Sequence, residues 1–175
     1  VSEDAITDIL KSRIVWSSWP RRWLGIRNML TWPASLGADD LKLIPLVRSV
    51  SIEKNYKNRT LTALIEEREA YGIWCTKSGG SEGEETPPVH CSWFDEDGVV
   101  FKRAFAAEGN LLKVVNDYSQ PPRGLSGKIL LEEFVPNLIS ILEMLRKSSL
   151  SVREVRLEDV NKAEVVVRTH AGPAL

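Results

Sequence analysis

The sequence has few of the residues that most often build metal and redox centres. It contains two cysteines, Cys75 and Cys91, and two histidines, His90 and His170, in 175 residues. A metal cage built mainly from histidine is therefore excluded. Zinc sites usually pair their cysteines as C-x₂-C and use four ligands, so the possible trio of Cys75, His90 and Cys91 is a weak metal pattern.

An excess of one sign of charge and a long apolar run are also lacking. Lys and Arg total 23 and Asp and Glu total 24, which gives a net charge of -1. The basic excess of a typical nucleic-acid binder is therefore missing. The longest stretch without a formal charge is residues 28–38, and a membrane-spanning helix needs about 20 apolar residues. We predict no spanning helix within these residues.

Familiar catalytic motifs are absent from the sequence. It contains neither the G-x-S-x-G nucleophile motif nor the glycine-rich phosphate and dinucleotide motifs. Residues 66–97 hold nine acids against Arg68 and Lys77, and a glycosidase would need two such carboxylates facing each other in a cleft. Because these acids fall in a turn and a polar loop, we interpret them as solvated surface. The sequence predicts no catalytic residue, no cofactor and no metal site.

The composition that is present is ordinary for a globular protein, with 43% hydrophobic and 27% charged residues. Tryptophan is the exception, since four of the six lie close together: Trp16, Trp19, Trp23 and Trp32. Residues 11–32 also carry five basic side chains and no acid. This pattern is typical of a loop packed on a core or of contact with a membrane surface, and less so of single-stranded nucleic-acid binding.

The first part of the chain predicts two helices and a hairpin. Ser2 can cap a helix over Ser2–Val15, in which apolar side chains recur at helical spacing. A loop over Trp16–Leu36 and a short helix over Asp39–Ile44 follow. Two alternating runs, one starting at Val50 and one covering Leu61–Ile65 and continuing through Glu69, flank a polar turn and predict a β-hairpin.

The second part predicts a strand meander with one long helix. The predicted strands are Tyr71–Cys75, Cys91–Phe94, Val99–Phe105, Leu111–Val115, Val152–Leu157 and Glu164–Arg168. Asp95–Gly98 is predicted as a hairpin turn rather than a calcium loop because strands flank it. The helix is predicted over Leu131–Lys147 from an apolar stripe. The fold class is therefore α+β, with a boundary near Ala70.

The two cysteines have two interpretations. Cys75 and Cys91 lie on neighbouring predicted strands, so they can face each other and form a disulfide in an oxidising compartment. Two buried free thiols are the alternative.

Several short motifs resemble the FtsQ (DivIB) family of bacterial cell-division proteins. Residues 45–52, a polar turn and residues 61–70, which contain Glu67 and Arg68, resemble the hairpin of that family's POTRA domain. Trp74 follows, then Asp95, Gly98 and Phe101 at the spacing of a family hairpin. The long helix and the strand after it come in the family's order, so the resemblance covers nearly the whole chain.

The resemblance implies a POTRA-like helix-helix-hairpin domain over residues 1–69 and a mostly antiparallel β domain with one long helix over residues 70–175. It also implies that the first POTRA strand, the C-terminal end of the β domain and a membrane anchor lie outside these residues. The implied protein is a non-enzymatic scaffold of the division complex, single-pass in the inner membrane, with this region on the extracytoplasmic side at the septum.

The implied partners are other division proteins of the FtsB and FtsL type. They would bind by strand addition at the edge strand Glu164, Val165, Val166, Val167 and Arg168. The clustered tryptophans would add contact with the membrane surface. Two rival functions stay open: a POTRA protein of another envelope-assembly process, and an enzyme acting on cell-wall glycans through the acidic residues.

Overall fold

The structure of the chain is a computed structural model that describes residues 7–9, 11–12, 28–76, 90–105, 114–119, 124–148, 150–159 and 164–169. Two compact units make up the chain, Val1–Arg68 and Glu69–Leu175. The division lies one residue before the predicted boundary. The described elements are mostly strands with one long helix. The α+β class is therefore confirmed.

The first unit contains short helical segments followed by a hairpin. Residues 7–9 and 11–12 are helical, and the rest of the helix predicted over Ser2–Val15 lies outside the described residues. A 3₁₀ turn covers Met29–Thr31 and helix α1 covers Ala38–Leu41. The prediction that this helix reaches Ile44 is wrong. Leu43 and Ile44 donate to carbonyls three residues back, at 3.1 Å each, which tightens the chain into turns.

Strands β1 (Val47–Asn55) and β2 (Thr60–Glu67) form the hairpin of the first unit. The turn lies where the polar residues predict it. The side chain of Asn55 accepts the backbone N–H of Asn58 at 3.1 Å, and Arg59 takes a left-handed conformation with φ 53°. Strand β1 begins three residues before its predicted start at Val50, whereas β2 ends at Glu67, two residues before the predicted end at Glu69.

The core of the first unit lies on one face of β1. Its buried members are Leu36, Ile44, Val47, Val50 and Ile52. The side chains packed against them, which are only partly buried, belong to Ile9, Trp32, Leu41 and Leu61. The alternation of β1 therefore matches the sequence pattern of a strand with one buried face.

The second unit is built on a six-stranded sheet with the order β5-β4-β3-β6-β7-β8. The strands are β3 (Gly72–Thr76), β4 (His90–Phe94), β5 (Val100–Ala104), β6 (Val114–Asp117), β7 (Val152–Asp159) and β8 (Glu164–Thr169). Three pairings are antiparallel, and β6 lies parallel to both β3 and β7. The predicted meander is thus wrong beyond β5, because β6 pairs with the far side of β3.

Helix α2 (Val135–Lys147) connects the parallel strands β6 and β7. It begins four residues later than predicted, because Leu131–Phe134 forms a turn and Pro136 occupies the first turn of the helix. Val135, Leu138 and Leu142 are the buried residues of its apolar face. They pack on one face of the sheet against a set of buried side chains: Trp74, Phe94, Val100, Val115, Ile129, Leu130, Val155 and Leu157.

Candidate partner-binding site

The outer edge of β8 is the sequence-predicted site, and within the described residues β8 pairs only with β7. The opposite edge of the sheet is different. At β5, the N–H of Val100 donates to Gly127 O at 2.8 Å, and Val100 O accepts from Ser126 N–H at 2.7 Å. That contact covers part of the β5 edge. An unpaired strand edge presents backbone donors and acceptors to which another chain can pair.

The side chains of β8 alternate regularly between the two faces of the sheet. Val167 is buried and Val165 packs against the core under α2. Because successive residues point to opposite faces, Glu164, Val166 and Arg168 face the other way. Consecutive β8 residues from Glu164 to Thr169 all take part in the register, and its irregularities fall on β7. The five predicted edge residues therefore belong to one regular strand.

An apolar groove lies beside this edge, between α2 and the sheet. Its volume is about 240 Å³, and it is lined by Leu130, Phe134, Asn137, Leu138, Ile141, Leu157 and Val165. Val165 belongs to β8 itself, so the groove reaches the edge strand. A strand added to β8 would project every second side chain toward the face that carries the groove.

The face of the sheet opposite α2 carries a polar network at β6 and β7. The guanidinium carbon of Arg156 lies 4.1 Å from the ring centroid of Tyr118. Glu154 accepts from Asn116 Nδ2 at 2.7 Å and from the Tyr118 hydroxyl at 3.2 Å through one carboxylate oxygen. Arg156 is 7% exposed. Its Nε makes no hydrogen bond among the described residues and lies 3.9 Å from Glu154 Oε2 and 3.7 Å from Glu158 Oε1.

A disulfide joins Cys75 and Cys91. The two residues are directly opposite in the β3–β4 register, with their Cα atoms 4.1 Å apart. The structure therefore shows the disulfide and not the alternative of two buried free thiols. Neither sulfur is left to bind a metal ion, and the described residues contain no group of three or more His, Cys, Asp or Glu side chains able to hold one.

The acidic residues that the structure describes in this stretch lie at the C-terminal end of β2, just after it and in the β4–β5 turn. Residues 77–89, which include three of the nine acids, lie outside the described parts. Asp95 is buried, and its Oδ1 accepts the backbone N–H groups of Val99 at 2.8 Å and Asp97 at 3.1 Å. Its carboxylate therefore shapes the β4–β5 turn.

The other residues on which the resemblance depends lie in the hairpin, in a turn and in the core. Glu67 ends β2, and the N–H of Arg68 donates to Leu46 O at 2.8 Å. Trp74 is buried against Phe94 in an edge-to-face arrangement with centroids 6.3 Å apart. Phe101 is buried, and Gly98 takes a positive φ in the turn. These residues determine turn and core geometry.

The tryptophan cluster is described at one of its four positions. Trp16, Trp19 and Trp23 lie outside the described residues. Trp32 is partly buried against the core of the first unit, and its carbonyl accepts from Lys54 Nζ at 2.7 Å. At this position the packed-loop interpretation holds. Across the described parts of the chain, no helix combines the length and apolarity needed to cross a membrane.

Sequence reasoning missed the groove and the polar network. The apolar stripe of α2 is visible in the sequence, but a stripe does not show which of its members border open space. Phe134 and Ile141 are only partly buried, at the side of α2 that lines the groove. Glu154 and Arg156 are two positions apart on β7, so the sequence indicates that they share a face of the strand. It does not indicate that Tyr118 lies beside them.

Comparison of the chain with protein-family models, with curated proteins and with solved structures finds no match.

Proposed function

We propose that this protein is a non-enzymatic scaffold of the bacterial cell-division complex that binds partners by strand addition at β8. The observation that carries the proposal is an edge strand that is unpaired within the described residues and borders an apolar groove. The resemblance to the FtsQ family supplies the biological setting. In that setting the partners are membrane proteins of the FtsB and FtsL type.

Strand addition explains how such a site combines affinity with selectivity. An incoming strand pairs its backbone with β8, which is independent of sequence. Its alternate side chains then lie toward the groove lined by Phe134 and Ile141, or over Val166 and Arg168 on the other face. A partner with an apolar residue on the groove side gains burial, whereas a charged residue there loses its solvation.

The disulfide supports the proposed location outside the cytoplasm. Protein disulfides form and persist in oxidising compartments and are rare in the reducing cytosol. The bond between Cys75 and Cys91 is buried in the second unit, with Cys75 1% exposed. The resemblance adds the rest of the proposed location, which is the extracytoplasmic side of the inner membrane at the septum, with a single-pass anchor.

The test is capture of partners by the anchored protein from dividing cells, with one variant of α2 at the groove and one outside its lining. Asn137→Arg places a charge at the groove from an exposed position, so the fold tolerates it. Met144→Arg is the matched control, since Met144 is 71% exposed on the same helix and does not line the groove. We expect Asn137→Arg to reduce capture at least about tenfold, the effect of roughly 1.4 kcal/mol.

The control variant should capture partners as the unmodified protein does. Equal capture by Asn137→Arg and the unmodified protein would disprove binding at the groove. If neither the unmodified protein nor the variants recover a membrane protein of the FtsB or FtsL type, the proposal of a division scaffold is disproved. Thermal unfolding of both variants, followed by circular dichroism, verifies that the fold is intact.

A further inference from the structure

Strand β8 carries an acid and a base near its two ends, on the same face of the sheet. Glu164 and Arg168 are four positions apart, so both lie on the face away from α2, with Val166 between them. Neither side chain makes a hydrogen bond or an ion pair with a described residue. Glu154, which lies opposite Arg168 in the register, accepts a hydrogen bond from Asn116 instead. Two charges of opposite sign are therefore left for a neighbour across the β8 edge.

We propose that this neighbour is β8 of a second copy of the chain, paired antiparallel about a two-fold axis at Val166. A two-fold interface brings the same surface from both molecules together, so the strand must complement itself. Glu164 and Arg168 are equally far from Val166 along β8. The axis therefore places each Glu164 directly opposite Arg168 of the second copy, and opposite charges in that position stabilise antiparallel strands.

The other face of β8 is self-complementary about the same axis. Val165 lies opposite Val167 of the second copy, so four valines form one apolar row across the two strands. A two-fold axis perpendicular to a sheet leaves the helices of both copies on the same face. Val165 also lines the apolar groove beside α2. Pairing therefore brings the grooves of the two copies to either side of this valine row, on one face of a continuous sheet.

The two neighbouring two-fold registers are less complementary. An axis at Val165 would set Glu164 opposite Val166 of the second copy. An axis at Val167 would set Arg168 opposite that same valine. Both arrangements leave each charge facing an apolar side chain and without an opposite charge, which is unfavourable. The charges of β8 therefore select the register centred on Val166.

The dimer uses the edge to which the proposed division partners would bind. A β8 strand paired with a second copy cannot add another strand on the same side, so self-association and partner binding exclude each other. Self-pairing depends on this chain alone. Its tests therefore use the purified chain, and their outcome is independent of whether the division partners are identified correctly.

The first experiment measures the mass of the 175-residue chain by sedimentation velocity. One pair of short strands buries a small area, so we expect a weak dimer with a dissociation constant between roughly 10 µM and 1 mM. Glu164→Lys sets like charges opposite each other twice and should raise that constant at least about tenfold. Glu69→Lys is the matched control, because Glu69 is an exposed acid of the same unit outside the strands. It should leave the dimer unchanged.

Charge reversal at both positions tests the pairing directly. Arg168→Glu alone should weaken the dimer as Glu164→Lys does, because it sets acids opposite each other. The double variant exchanges the two charges and restores both opposite-charge pairs, so its dissociation constant should return to that of the unmodified chain. An equimolar mixture of the two single variants should form a heterodimer for the same reason. Circular dichroism of each variant verifies that the fold is intact.

The second experiment tests the register by cross-linking. Both native cysteines are in the disulfide, so an introduced cysteine is the one free thiol. Val166→Cys should form a disulfide-linked dimer under mild oxidation, because the axis places each residue 166 opposite its copy. Thr169→Cys should not, because the two residues 169 lie six positions apart along the paired strands. That separation is roughly 20 Å, whereas a disulfide bridges at most about 7 Å.

A monomer at every concentration up to 1 mM, about the upper limit expected for so small an interface, would overturn the proposal. If that monomer still captures division partners, the β8 edge belongs to them alone. A dimer that survives either single charge reversal, or one that the double variant fails to restore, uses another surface and also disproves pairing at β8. Equal cross-linking of Val166→Cys and Thr169→Cys would rule out the register.

Discussion

Gly98 has a backbone conformation that other residues adopt at a cost, with φ 71° in the β4–β5 turn. A Cβ atom built on it would lie 2.8 Å from Cγ2 of Val135 and 3.2 Å from Cγ1 of Ile129. Val135 is β-branched and buried, so it has few alternative rotamers. The glycine is therefore required both by the turn and by the close approach of α2.

Gly98→Ala should lower the free energy of unfolding by about 3 kcal/mol, from left-handed strain and overpacking together. Urea denaturation followed by circular dichroism measures it. Gly124→Ala is the control, because a Cβ atom added at Gly124 would meet no atom of the described residues within 4 Å, its chain neighbours aside, and it should change stability by less than about 1 kcal/mol. Equal effects at the two glycines would contradict this account.

Among the elements, β3 and β4 are the pair that a covalent bond holds together. Cys75 and Cys91 are separated by 16 positions, and the bond closes the intervening loop, which limits the freedom of the unfolded chain. Ile73 packs with both cysteines in a small cluster on the face opposite α2. The bond therefore stabilises the antiparallel half of the sheet.

Replacing both cysteines with alanine should lower the free energy of unfolding by about 3 kcal/mol, the chain-entropy value for a loop of this length. Urea denaturation of the two proteins, each with and without a reductant, measures the difference. The reductant should lower the midpoint of the unmodified protein and leave that of the double variant unchanged. Identical midpoints for the unmodified protein and the double variant would refute a stabilising role.

At the scale of the whole molecule, each unit combines its own core with an edge that the described residues leave unpaired. Val47 and Val50 centre the first core, and Phe94 and Val115 belong to the second. Strands β2 and β8 are the respective edges.

The proposed location predicts the redox state of the protein in living cells. Alkylation of thiols at the moment of lysis, followed by mass analysis, should find Cys75 and Cys91 unmodified in the full-length protein. The oxidising environment outside the cytoplasm maintains the bond. Alkylation of both cysteines would show that the protein resides in a reducing compartment in the cell, and it would disprove the proposed extracytoplasmic location.

The sequence by itself determined the local elements of this protein. Alternation predicted β1 and β2, the residues Asn55–Arg59 predicted their turn, and the apolar stripe predicted most of α2. These signals are local because a strand or helix shows its buried face through its own periodicity. The sequence predicted the helix ends less well. Turn hydrogen bonds at Ile44 end α1 early, and a turn before Val135 delays the start of α2.

Only the tertiary structure decided which elements are neighbours. The parallel pairing of β6 with β3 and β7 joins strands far apart in sequence, and no local pattern encodes it. The same holds for the bond between Cys75 and Cys91, the contact of Arg156 with Tyr118, and the groove beside β8. Periodicity predicts that the apolar face of a helix or strand is buried. Which elements bury it, and which strand edges stay unpaired, depends on the packing of the whole chain.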